Sequence, residues 1–207
     1  IVCRDSKYGL YTNKGVLIIP CEYNEFKFYT IEDRLTIGGV SDSSADLFET
    51  SGLPIFEPKK YNSWQSYYGH FIVRSNTNQL YGVLDKYGNM IVPCKYESIK
   101  NTSDIAGFKA TIGKKVGYVT FDGQELFPFI EAEDIKIAKN KKVFIIKQND
   151  YKSYGVVDFN GRVVVPCKNK SDKIEKKIES AIKRDTMINS NYETNSKIIT
   201  NSYTNKV

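Results

Sequence analysis

The chain has one histidine, His70, in Tyr67-Tyr-Gly-His-Phe71. A general base of this kind needs a group that orients it, and the sequence offers none nearby. There is no His-Glu-x-x-His, no Cys-x-x-Cys, no Gly-x-Ser-x-Gly and no Gly-rich loop running into Lys-Ser or Lys-Thr. Those are the patterns that support metal-assisted hydrolysis, thiol redox chemistry, acyl transfer and phosphate binding. The densest acidic cluster, Glu131-Ala-Glu133-Asp134, lacks the Asp-x-Asp-x-Asp-Gly spacing of a calcium loop and reads as a solvated segment. Asp158-Phe-Asn160-Gly161 has the look of a cation loop, but a hairpin turn accounts for it equally. Four cysteines remain. Cys21, Cys94 and Cys167 each follow a proline at equivalent places in the chain, so they are expected to lie apart, buried and unpaired. Cys3 stands outside that pattern. No nucleophile-and-base set, metal site or cofactor site emerges, and the expectation is a protein that is not an enzyme.

One stretch could do recognition chemistry. Tyr61-Asn-Ser-Trp64-Gln-Ser-Tyr67-Tyr68 holds the only tryptophan and three tyrosines within eight residues. Aromatic side chains among polar neighbours suit a protein hot spot or stacking on a sugar ring. The candidate binding surface is therefore Trp64, Tyr67, Tyr68 and His70. The competing reading is that these rings cover the edge of a core.

The elements that must position them follow from a repeat. Gly9, Gly82, Gly117 and Gly155 each have a second glycine six positions on, at Gly15, Gly88, Gly123 and Gly161. Five positions further stand Pro20, Pro93, Pro128 and Pro166. A weaker copy begins at Asp46 and runs through Gly52, Pro58 and Tyr61. The five starts at 9, 46, 82, 117 and 155 give a period near 36 residues. Each copy opens on a short alternating strand such as Tyr81-Gly-Val-Leu-Asp85. A glycine-containing turn and a β-branched second strand follow, which proline is expected to end. Gly69–Arg74, Ala106–Ile112 and Lys142–Lys147 read as further strands. The fold class is all-β: about five antiparallel meander units of ~36 residues, stacked as a propeller-like or open solenoid-like array. The repeat domain spans 1–168, with units near 4–41, 42–78, 79–114, 115–150 and 151–168. Residues 169–207 form a helical segment and a low-complexity tail. In that segment Ile174, Ile178, Ala181 and Ile182 share one helical stripe, Asp172 and Glu175 have capping-box spacing, and the residues beyond Asp185 read as mobile.

Composition narrows the partners. The net charge of +6 sits largely in residues 168–207, which carry nine basic and five acidic side chains. The first 167 residues carry 21 and 19, too even for a nucleic-acid face. No apolar run approaches the ~18 residues of a membrane span. The chain opens on Ile1 rather than Met, as a processed chain or fragment would.

The text Tyr81-Gly-Val-Leu-Asp-Lys-Tyr-Gly-Asn-Met-Ile-Val-Pro-Cys-Lys-Tyr-Glu97 resembles the WG-repeat (KWG-repeat) family, with tyrosine at 8, 81 and 154 in place of tryptophan. The family's aspartate matches Asp85 and Asp158, and the resemblance covers about residues 4–168. It implies a mostly bacterial binding or scaffold module rather than an enzyme. The expected function is non-catalytic protein–protein interaction through a repeated β surface. The alternative is a lectin-like module that holds a glycan.

Overall fold

The computed structural model describes residues 1–102, 107–126, 129–138, 143–148, 153–160, 162–169 and 171–184. Pro128, Gly161 and the tail beyond 184 lie outside the described residues, as do the side chains of Asp172, Glu175 and Ile182. The described chain is all-β with one helix. Contacts divide it into two compact units, Ile1–Tyr96 and Glu97–Val207.

The first unit holds three antiparallel sheets. The first sheet joins β1 (Val2–Arg4), β2 (Lys7–Tyr11) and β3 (Leu17–Tyr23) in that order. The second joins β4 (Glu25–Ile31), β5 (Arg34–Val40) and β6 (Ala45–Glu49). The third joins β7 (Tyr61–Tyr67), β8 (His70–Ser75), β9 (Tyr81–Asp85) and β10 (Met90–Tyr96). The second unit holds two more. One contains β11 (Ser98–Asn101), β12 (Gly107–Ile112), β13 (Lys115–Thr120) and β14 (Ile130–Glu131). The other contains β15 (Asp134–Ile137), β16 (Val143–Lys147), β17 (Tyr154–Asp158) and β18 (Val163–Asn169), followed by α1 (Ser171–Arg184).

Sheet and sequence repeat are out of phase. The third sheet takes β7 and β8 from the loose end of one repeat and β9 and β10 from the start of the next. The repeated glycine turns lie between those later strands. Gly15, Gly52, Gly88 and Gly123 all have φ between 80° and 87°, the left-handed region that glycine enters without penalty. Each of these four turns makes the same two backbone bonds. At Gly88 the amide donates to the Asp85 carbonyl at 3.1 Å, and the Asp85 amide donates to the Asn89 carbonyl at 2.8 Å. The family's aspartate completes this turn. Asp85 Oδ1 accepts from the amides of Tyr87 and Asn89 at 2.8 and 2.9 Å. Thr12 and Asp158 do the same at their own turns, while Thr120 accepts from the Gln124 amide.

Proline does not end its strand, contrary to the sequence expectation. Pro20, Pro93 and Pro166 lie inside β3, β10 and β18. All three are outermost in their sheets, where a missing N–H faces no ladder. Each strand also bulges there. Ile19 to Tyr23 is a step of four positions, where the step between their partners Leu10 and Tyr8 is two. The same excess recurs in β10 and β18. The bulge lies directly over the first glycine of the repeat. A Cβ on Gly82 would sit 2.6 Å from the Val92 carbonyl oxygen and 2.8 Å from Cys94 Sγ. Glycine and the Pro-Cys bulge are thus one device. The cysteines are half-buried rather than buried, because the bulge belongs to an edge strand; they are free thiols, as expected.

Cores fill the spaces between successive sheets within each unit. Ile19 and Tyr23 of the first sheet meet Ile37 and Phe48 of the second. Ile31 and Leu47 meet Phe71, Val73 and Leu84 of the third. In the second unit Tyr118 stacks on Phe144 at 5.2 Å and its hydroxyl donates to the Ile135 carbonyl. Ile174 and Ile178 of α1 are buried against Val143, Val156 and Val165 on the far face of the last sheet. Each such side chain contributes roughly 1.5–3 kcal/mol, so the predicted apolar stripe is what docks the helix.

Candidate interaction surface

Tyr61 to Phe71 form the hairpin β7–β8, closed by a two-residue turn at Tyr68-Gly69 with φ of 43° and 69°. Two positive φ values define a type I′ turn, which matches strand twist but favours Asn-Gly over a bulky first residue. Tyr68 therefore sits at a position where its side chain costs backbone energy.

The four candidate residues separate by depth. Trp64 packs edge-on against Tyr29 at 5.1 Å and against Phe71 at 6.0 Å, at the rim of the core between the second and third sheets. It serves the core edge. Tyr61 is 3% exposed and meets Phe56 edge-on at 5.5 Å; burial pushes its hydroxyl pKa up. Tyr68 is 75% exposed, and Tyr67 is half-buried beside it. Their rings meet at 4.6 Å and 75°, forming a two-walled aromatic corner at the hairpin tip. His70 is 7% exposed, and its Nδ1 lies 2.7 Å from the Tyr68 carbonyl oxygen. A carbonyl only accepts, so Nδ1 carries the proton and holds the turn in place. The structure thus brings Tyr67, Tyr68 and His70 together, with His70 as the brace. The Glu32 carboxylate, from the neighbouring β4–β5 turn, lies 2.5 Å from where a Cβ on Gly69 would stand.

The other reactive types are committed elsewhere. Burial pushes the Cys94 thiol up, away from the thiolate that nucleophilic chemistry needs. Glu133 and Asp134 of the acidic cluster are held by Lys147 and Lys109, each at 2.7 Å. Among the described residues no group of three or more His, Cys, Asp or Glu could hold a metal ion.

Those two ion pairs line a polar cleft of about 360 Å³ in the second unit, with Ser98, Lys100 and Thr111. Glu133 Oε2 is buried there without a hydrogen-bond partner among the described residues. Sequence reasoning missed this cleft. Lys109 and Asp134 stand 25 residues apart, on β12 and β15 of different sheets, and the packing of those two sheets brings them together.

The model of the WG-containing repeat family matches residues 8–35 and 81–109. Both segments start on the tyrosine before the repeat's first glycine and run through the Pro-Cys bulge. No curated protein matches the chain. Among solved structures, Hsv2 of Kluyveromyces lactis ("complete loop 6CD") is similar at 10% identity and a TM-score of 0.30. The match covers 67% of this chain and 60% of that one.

Proposed function

We propose that this WG-repeat protein is a non-catalytic binding module that holds a protein partner, with the Tyr67–Tyr68 corner as a principal contact. The observation that carries the reading is the division of labour within the repeat. Its regular positions are consumed by turns, by bulges over glycine and by buried strands. The most exposed aromatic side chain among the described residues, Tyr68 at 75%, stands at a hairpin tip on a sheet, where repeat scaffolds usually bind. A half-buried tyrosine beside an exposed one offers large contact area with little rotamer entropy to lose. His70 and the type I′ turn fix the corner in advance, which lowers the ordering cost of association.

The test separates the corner from the core. Tyr67→Ala/Tyr68→Ala should keep the unfolding midpoint near wild type and weaken capture of a partner in a pull-down. Trp64→Ala should lower stability through lost packing, on the order of 2 kcal/mol for a partly buried ring. Undiminished capture by the double variant would remove the corner from the reading. Selective retention of the wild type on a glycan array, lost in the same variant, would replace the protein partner by a carbohydrate.

A further inference from the structure

Two tight turns stand side by side at one end of the second and third sheets. The β4–β5 hairpin closes at Glu32-Asp33, with φ of 48° and 61°. The β7–β8 hairpin closes at Tyr68-Gly69, with φ of 43° and 69°. Both turns have two central residues in the left-handed region, where Asn-Gly is the favoured pair. Glu32, Asp33 and Tyr68 stand there against that preference, so the backbone does not account for these residue types.

The two turns meet at Gly69. The missing Cβ leaves room for the Glu32 carboxylate, whose oxygens lie 2.5 and 3.3 Å from where that atom would stand. The carboxylate is thus lodged against the residue that follows Tyr68. Glu32 and Asp33 are exposed, and among the described residues neither has an ion-pair or hydrogen-bond partner. The cations that follow these turns are committed elsewhere. Arg34 donates to the Lys86 carbonyl at 3.2 Å and lies 3.9 Å from Glu49, and Lys86 Nζ stands over the Tyr87 ring at 5.3 Å. Tyr68 has no such cation over its ring among the described residues. The tip therefore sets two unneutralised carboxylates beside an open aromatic face. Both attract positive charge, the ring through its quadrupole. An aliphatic side chain seated here would desolvate the carboxylates without pairing them.

We propose that this tip selects an arginine side chain of the partner protein. The guanidinium lies flat on the Tyr68 ring, with Tyr67 as the second wall of the corner, and donates at its edge to Glu32. Asp33 adds attraction at longer range. Arginine suits the site better than lysine because its planar group can stack on a ring and bond a carboxylate at once, and is more weakly hydrated. Its methylene stem can lie along apolar ring surface while the charge stays wet. The proposal rests on the protein-binding reading above and names the chemistry that the tyrosine corner selects.

The probe is Nα-acetyl-arginine methylamide, titrated into the whole protein carrying 13C-labelled tyrosine and followed by NMR. The Tyr68 ring signals, assigned by their loss in Tyr68→Leu, are expected to move saturably at millimolar probe, as weak exposed contacts allow. The citrulline analogue, planar but neutral, should leave them in place. The lysine analogue should bind about threefold more weakly. Glu32→Gln/Asp33→Asn should weaken arginine binding about fivefold or more. Tyr68→Leu keeps apolar bulk but removes the ring, and should abolish the saturable shift at Tyr67. Trp64 emission verifies that each variant is folded. Equal movement with citrulline, lysine bound as tightly as arginine, or unchanged binding by folded Glu32→Gln/Asp33→Asn overturns the proposal. Partner capture by Tyr67→Ala/Tyr68→Ala is then the separate readout. If that capture is still lost, the corner binds protein by another chemistry; if it is undiminished, the protein-binding reading of the corner falls as well.

Discussion

Gly82→Ala adds one methyl group at the Pro-Cys bulge of β10. The Cβ would come 2.6 Å from the Val92 oxygen, 2.8 Å from Cys94 Sγ and 2.9 Å from the Cys94 nitrogen. Two of these three atoms are backbone, so no side-chain rotation relieves them. The edge strand must move off β9, and the cost is expected in the upper part of the overpacking range, about 2–3 kcal/mol. Cys94→Ala alone removes one half-buried sulfur and should cost about 1 kcal/mol. If the backbone is the obstacle, the two losses add in the double variant, near 3–4 kcal/mol. If sulfur is the obstacle, the double variant is no worse than Cys94→Ala. Urea unfolding followed by Trp64 emission reports the first unit, which contains both residues. Rescue of Gly82→Ala by Cys94→Ala would refute the argument that the bulge backbone dictates glycine.

Asp46 replaces the repeat's first glycine and is fully buried, accepting from Tyr23 Oη at 2.9 Å, Ser44 Oγ at 3.0 Å and the Lys59 amide at 2.8 Å. Asp46→Gly, which restores the repeat consensus, should therefore destabilise by about 3 kcal/mol in chemical denaturation, since it orphans these donors; a neutral or stabilising result would contradict the network. Burial raises the Asp85 carboxyl, but hydrogen bonds from Asn89 and Tyr87 outweigh it, and the pKa lies below its ordinary value. Its contribution is thus fully present above the unfolded value of about 3.9 and lost as pH falls through the lower folded value. The stability gap between wild type and Asp85→Asn should close on acidification to that range, and a gap that widens there would reverse the sign. In thiol labelling of the native protein, exposed Cys3 should react first and Cys94, with its raised thiol, late; equal rates for all four cysteines would place the bulges in solvent.

The turns and the all-β class were legible because Gly15, Gly88 and Gly123 perform a local task. A positive φ has a residue preference that needs no tertiary contact. The position of proline was misread because its effect depends on where the strand lies in a sheet. A proline that breaks a central ladder is harmless on β3 or β10, and edge status is set by pairings with distant residues. Trp64 shows the same limit at the candidate site. Its polar neighbours suggested exposure, but β7 alternates and turns Trp64 towards Tyr29, which lies 35 residues earlier. Tyr68 is exposed, since a turn tip stays in solvent whatever packs beneath it. Asp46 was read as a lost glycine, since nothing local shows that Tyr23, Ser44 and Lys59 converge on it.

The offset between repeat and sheet bears on how such a gene can change length. A recombination that deletes one ~36-codon repeat removes the later strands of one sheet and the earlier strands of the next. The two remaining halves are adjacent in the shortened chain and of the kinds that pair with each other. Duplication works the same way in reverse. The array can therefore shrink or grow by one repeat without leaving an orphan half-sheet, wherever within the repeat the crossover falls. The condition is that each half fits the other, and it is met best among the first, third and fifth sheets, which share the glycine and the Pro-Cys bulge.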